Sequence, residues 1–123
     1  MLIDSSALIL YMKADLAPGG MTLMQSVIEQ SQGQISVIAR AEVLAWPQHT
    51  EASLLQTTQA LAYFQTIDVD TPIADEAARI RREYNLKLPD ALIAATALLA
   101  GESVITANER DFKRVVGLAV VAV

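Results

Sequence analysis

Four carboxylates stand where short apolar runs end or where an apolar helix begins. Asp4 follows Met1-Leu2-Ile3. Glu42 lies just beyond Gln34-Ile35-Ser36-Val37-Ile38. Asp90 sits beside Pro89 at the head of Ala91–Ala100. Asp111, with Asn108 before it, follows Ser103-Val104-Ile105-Thr106. Each acid alone has an ordinary structural role, because a carboxylate at a helix start caps backbone N–H groups or complements the helix dipole. Together they suggest more. If the apolar runs are parallel strands, ligands bind outside the carboxyl ends of those strands, and the acids can meet there. Converging carboxylates repel one another and raise each other's pKa, and such clusters persist when a cation occupies them. All-oxygen donors of this kind select hard ions, Mg²⁺ or Mn²⁺.

The residues that are missing narrow the chemistry. The only histidine, His49, falls in the turn between Pro47 and Glu51 and is expected to be an exposed loop residue, so a histidine acid/base pair is lacking. There is no cysteine, which excludes thiolate nucleophiles, thiolate zinc sites and disulfides. The five glycines are scattered and form no phosphate-cradling loop. The remaining route to a nucleophile at neutral pH is a metal ion that lowers the pKa of a water. Such an ion would also reconcile a net charge of −5 with a phosphodiester substrate by neutralising the acids locally.

The elements that would position these acids follow from the apolar pattern. Strands are predicted over residues 1–3, 34–38, 66–70, 103–106 and 118–123. Helices are predicted over 7–12, 22–31, 51–64 and 91–100, with a short one through Glu42 that stops at Pro47 and another opened by Pro72. Residues 13–20 read as a loop punctuated by Pro18-Gly19-Gly20. Acids alternate along Thr66-Ile67-Asp68-Val69-Asp70, which suggests an edge strand. The run through Asp75, Glu76, Arg79, Arg81, Arg82 and Glu83 reads as a solvated helix face. The 91–100 segment is apolar nearly all round and belongs in the middle of the domain. Trp46, at a helix end, is expected in the core, with a partner anchor as the alternative. Alternating strands and helices imply an α/β fold whose parallel sheet carries helices on both faces.

The 123 residues fit a single domain, 1–123, with a real core. Hydrophobic residues make up 53% and charged ones only 19%, a surplus compatible with a covering partner. No apolar run reaches the roughly 18 residues of a membrane span. The start has no basic region ahead of its apolar run, so a cytoplasmic location without a membrane role is the expectation.

Four stretches together resemble the PIN domain family, and within it the VapC-like toxins. They are Leu2-Ile3-Asp4-Ser5-Ser6-Ala7-Leu8, the stretch Ile35–Val43 around Glu42, Leu88-Pro89-Asp90-Ala91-Leu92-Ile93-Ala94-Ala95-Thr96-Ala97, and Val104–Phe112. In order and suitably spaced, they cover essentially the whole chain. The resemblance implies a three-layer α/β/α sandwich around a five-stranded parallel sheet of order 3-2-1-4-5. It also implies a Mg²⁺- or Mn²⁺-dependent endoribonuclease that leaves a 5′-phosphate and a 3′-hydroxyl. It maps the family's acids, as catalytic and metal-holding groups, onto Asp4, Glu42, Asp90 and Asp111. Ser6, Thr106 and Asn108 fall at supporting polar positions. Implied partners are an RNA substrate, a small antitoxin protein that wraps the toxin in a type II pair, and a second copy in a homodimer. One departure is Leu44-Ala45-Trp46-Pro47, where relatives often carry a glycine-containing turn.

Arg81, Arg82, Lys87, Arg110, Lys113 and Arg114 are candidate contacts to flanking phosphates, each with solvated surface charge as its ordinary alternative. Two other classes compete with the enzyme reading. A PIN-like RNA- or protein-binding module with weak catalysis would not need all four acids. A receiver-type phosphorylation domain would resemble a pattern with adjacent acids after strand one and a lysine after strand five. Here Asp4 stands alone and the chain ends at strand five.

Overall fold

Short apolar runs pair into one all-parallel sheet. A computed structural model describes residues 1–123. Strands β1 (Leu2–Ile3), β2 (Gln34–Ser36), β3 (Gln65–Ile67), β4 (Val104–Thr106) and β5 (Val120–Ala122) lie in the order β3-β2-β1-β4-β5. Leu2 is level with Gln34 on one side and Val104 on the other, and Ile3 with Ile105. The expected order 3-2-1-4-5 is the observed one.

Seven helices connect the strands: α1 (Ser5–Met12), α2 (Pro18–Glu29), α3 (Val37–Leu44), α4 (Glu51–Leu61), α5 (Thr71–Tyr84), α6 (Leu88–Ala100) and α7 (Glu109–Phe112). With the right-handed crossovers that parallel strands adopt, the order β3-β2-β1-β4-β5 assigns α1–α4 to one face of the sheet and α5–α7 to the other. Chain direction across the sheet reverses between β1 and β4, so a crevice opens at the carboxyl ends of these two central strands.

The core is centred on β1, β4 and α6. Leu2, Ile3, Val104 and Ile105 are fully buried, as are Ala91, Ile93, Ala94, Ala95 and Ala97 of α6. Alanines on that face let α6 pack closely against α5. On α5, Ile73, Ala77 and Ile80 face inward at helical spacing, and Arg79 bridges Glu76 and Glu83 on the outer face. The Asp70 side chain caps α5 by accepting from the Ile73 N–H at 2.9 Å.

Several boundaries differ from the sequence pattern. Pro18-Gly19-Gly20 opens α2 instead of a loop, because proline at the first helical turn loses no needed hydrogen bond. Strand β2 stops at Ser36, whose hydroxyl accepts from the Ile38 N–H at 3.1 Å and turns Val37 and Ile38 into helix. Helix α6 starts at Leu88, three residues before its apolar run. Strand β3 is an edge strand, as expected, but covers 65–67. No helix is long and apolar enough to cross a membrane.

Gly33, just before β2, is required by close approach. A Cβ there would stand 2.6 Å from Phe64 Cδ1 and 3.2 Å from Val27 Cγ1. Gly33→Ala is expected to lower stability by about 1–3 kcal/mol through overpacking, read as a drop in the urea midpoint. An unchanged midpoint would show that the Phe64 ring yields freely.

Candidate active site

Asp4 directly follows β1 and is 2% exposed. It occupies the N-cap position of α1, yet its side chain caps nothing. Instead Oδ2 accepts from the Ser6 hydroxyl at 2.5 Å and from the Thr106 hydroxyl at 2.9 Å. Thr106 is fully buried at the end of β4, and its hydroxyl oxygen also accepts from the Asn108 N–H at 2.8 Å. Ser6 Oγ in turn accepts from the Ala107 N–H at 3.1 Å. One carboxylate oxygen is therefore fixed by a hydroxyl from the first turn of α1 and another from the end of β4. The other, Oδ1, is buried with no hydrogen-bond partner. A buried carboxylate oxygen without a partner is costly and needs a reason.

The other three acids surround it. Glu42 projects from α3, and its Oε1 accepts from the Ser5 hydroxyl at 3.1 Å. Burial pushes the Glu42 carboxyl upward in pKa, the Ser5 hydrogen bond opposes that, and the Asp4 charge adds to it. Asp90 lies in the first turn of α6, where the helix dipole favours a charged carboxylate. Its pKa is nevertheless raised to about 6, chiefly by burial and then by Asp4, Glu42 and Asp111, against the opposing charge of Lys87. Asp111 on α7 accepts from the Asn108 side-chain amide at 3.0 Å and has Arg114 at 3.6 Å.

All four acids lie near one sheet edge, close enough to shift Asp90 together. No three of them stand at spacing suited to holding a metal ion. Like charges spread when no cation separates them, and here each carboxylate except Asp90 leans on a hydroxyl or amide instead. The donor set still fits a hard divalent ion. Every donor is a carboxylate, hydroxyl or amide oxygen, and the buried Oδ1 of Asp4 has a free lone pair.

The cationic candidates divide. Arg81 donates to the Leu86 carbonyl and so ties the end of α5 to the next turn. Lys113 pairs with Glu109, and Arg114 lies beside Asp111. Arg82, Lys87 and Arg110 are exposed and make no ion pair; Lys87 is the one that acts on Asp90.

Two aromatic expectations change. Trp46 is 46% exposed, not core, because α3 ends at Leu44 and the turn toward Pro47 swings the ring outward. Lys13 lies 5.6 Å from its ring centre, and His49 packs edge-on against it. His49 is only partly exposed, with Nδ1 2.9 Å from Ser53 Oγ and Nε2 donating to the Val43 carbonyl at 3.1 Å. Both nitrogens are thereby used to join α3 to α4, so His49 is a structural link. Trp46, His49, Lys13 and Glu42 line a groove of about 590 Å³ between α1, α3 and α4. Ser5 opens α1 and is the polar residue of the site that the sequence pattern does not single out. Its bond to Glu42 spans 37 positions of sequence, and no local pattern signals it.

An acid-lined crevice at the reversal point of a doubly wound parallel sheet defines the class of protein. Within that class the chain belongs to the PIN domain family, whose sequence profile matches residues 1–118. No curated protein matches. Among solved structures, the chain is similar to a toxin–antitoxin complex from Klebsiella pneumoniae, with 32% identity, a TM-score of 0.81, and 98% and 95% of the two chains covered. It is similar in fold to VapBC2 from Rickettsia felis, bound to a DNA fragment from its promoter, at 17% identity, TM-score 0.84, covering 99% and 97%. It is likewise similar to DNA-bound VapBC from Salmonella typhimurium, at 21% identity, TM-score 0.79, covering 98% and 96%.

Proposed function

We propose that this PIN domain is a metal-dependent endoribonuclease, the toxin of a type II toxin–antitoxin pair. One observation carries the reading: Asp4 Oδ1 is buried and unpartnered in the crevice where burial, and then the charges of Asp4, Glu42 and Asp111, raise Asp90 to a pKa of about 6. An isolated structural role for Asp4 would satisfy both oxygens. Asp4, Asp90 and Asp111 would hold Mg²⁺ or Mn²⁺, with Glu42 a further ligand or the group that orients the attacking water. The bound ion supplies charge neutralisation at the phosphate and acidifies the attacking water. Ser6 and Thr106 fix one oxygen of Asp4 and leave the other free. Asn108 orients Asp111. Arg82, Lys87 and Arg110, exposed and free of ion pairs, are the cations we assign to flanking phosphates.

The expected partners are RNA, a small antitoxin and a second copy of the chain. Support for the antitoxin comes from the toxin–antitoxin relative at 32% identity. Exposed Leu54, Leu55 and Tyr63 on and just after α4 supply apolar surface for association. A binding module without catalysis is the competing reading, and the full set of four acids speaks against it.

Purified protein is expected to cut a structured RNA with Mg²⁺ or Mn²⁺, to leave 5′-phosphate ends, and to stop on addition of EDTA. Calcium is expected to support little turnover, because its loose coordination aligns the reaction poorly. Cleavage that survives EDTA, or products ending in a cyclic phosphate, would contradict the metal-dependent reading. RNA binding without cleavage under all these conditions would favour the binding module.

A further inference from the structure

The adjacent hydroxyls of Ser5 and Ser6 point to different partners. Ser6 bonds Asp4, on the side of the crevice shared with β4 and Thr106. Ser5 reaches the other way, from the first turn of α1 to Glu42 on α3. Glu42 needs such a tether. It sits on a solvent-facing turn of α3, and its carboxylate is bonded to the residue next to the buried Asp4, close enough for the two like charges to repel. An exposed glutamate repelled by a buried aspartate lowers its energy by swinging into solvent, and side-chain entropy favours the same motion. The hydrogen bond from Ser5 is the one hydrogen bond that the Glu42 side chain makes. Ser5 is 9% exposed, and its hydroxyl donates to Glu42 at 3.1 Å as its only bond. If Glu42 left, a nearly buried donor would lose its partner, so the contact resists opening from both ends.

We propose that Ser5 is a positioning residue that holds the Glu42 carboxylate in the acid cluster against repulsion by Asp4, and so completes the donor set for a divalent cation. The inference rests on the reading of the four acids as a cation site. It makes Ser5 act only through Glu42, and that is what separates it from a general helix-start role. A serine needed merely to begin α1 would affect stability but would not depend on what residue stands at position 42.

The test is a double-mutant cycle on the full chain with Ser5→Ala, Glu42→Gln and the combination. The first readout is Mn²⁺ affinity by calorimetry, and the second is the NMR order of the Glu42 side chain in metal-free protein. Ser5→Ala is expected to weaken Mn²⁺ binding about 10- to 100-fold, the range for groups that orient a ligand. It is also expected to raise the mobility of the Glu42 side chain, while the double variant binds Mn²⁺ no more weakly than Glu42→Gln alone. A Ser5→Ala protein with native Mn²⁺ affinity and an ordered Glu42 would overturn the inference and leave the cation site standing. So would equal, independent losses from Ser5→Ala in both backgrounds. Wild-type protein that binds no Mn²⁺ would instead overturn the site itself, and the inference with it.

Discussion

Asp90→Asn is expected to reduce RNA cleavage about 100-fold or more while leaving the metal-free protein folded and slightly more stable. Loss of activity follows from removing a charged donor from a hard-ion site, a change at least as severe as losing a group that only orients a ligand. The gain in stability follows from the sign of the pKa shift. The Asp90 carboxyl is raised to about 6 in the folded protein. Folded protein therefore binds this proton more tightly than unfolded protein does. Its contribution to stability is full below the ordinary carboxylate range and is lost as pH rises through about 6. At about pH 7.5 the charged form is a net cost of about 1–2 kcal/mol, after allowance for solvent screening of a partly exposed group. Asparagine removes that cost and forgoes a favourable dipole term of roughly 0.3–1 kcal/mol. The net gain is about 1 kcal/mol, or roughly 3–5 °C in Tm. Below about pH 4 the advantage should vanish, because Asp90 is then protonated in both states. Melting curves and cleavage rates on the same preparation check both halves. A folded variant that cuts RNA at the wild-type rate would remove Asp90 from the site.

Manganese is expected to stabilise the wild-type protein by about 2.7 kcal/mol when free ion stands about 100-fold above its Kd. For a chain of this size that is roughly 10 °C in Tm. Glu42 is also shifted upward by burial and by Asp4, so more than one carboxylate gains from a neighbouring cation. The gain should be larger above about pH 6, where Asp90 is charged, than below it. Asp90→Asn should shrink the gain. Equal melting temperatures with and without saturating Mn²⁺ would mean that the acids do not form a cation site.

The sheet was legible because its strands are brief apolar runs that stop at marked residues. Met1-Leu2-Ile3 ends at a carboxylate, and Asp4 is where the crevice lies. The strand order came through resemblance to the PIN family, since periodicity alone does not order strands. Ser36 was harder to read, because a serine inside Gln34–Ile38 fits a strand until its hydroxyl caps the Ile38 N–H. Pro18-Gly19-Gly20 looks like a loop in isolation and becomes helix because Met24 and Val27 bury the following turns. Trp46 and His49 were misplaced for a common reason. The turn after α3 is shaped by the imidazole bridging Val43 and Ser53, a tertiary arrangement that residue type does not announce. At the site the acids were visible as strand-exit residues. Which of them share a field, and which oxygen lacks a partner, depends on distances set by the whole fold.

The most direct measurement is an anomalous-difference map at the manganese edge from crystals soaked in Mn²⁺. A cation site built on these acids predicts a peak at bonding distance from Asp4 Oδ1, with Asp90 among its other neighbours. A well-ordered crystal with no peak there, or with manganese bound only at surface carboxylates away from Asp4, would contradict it.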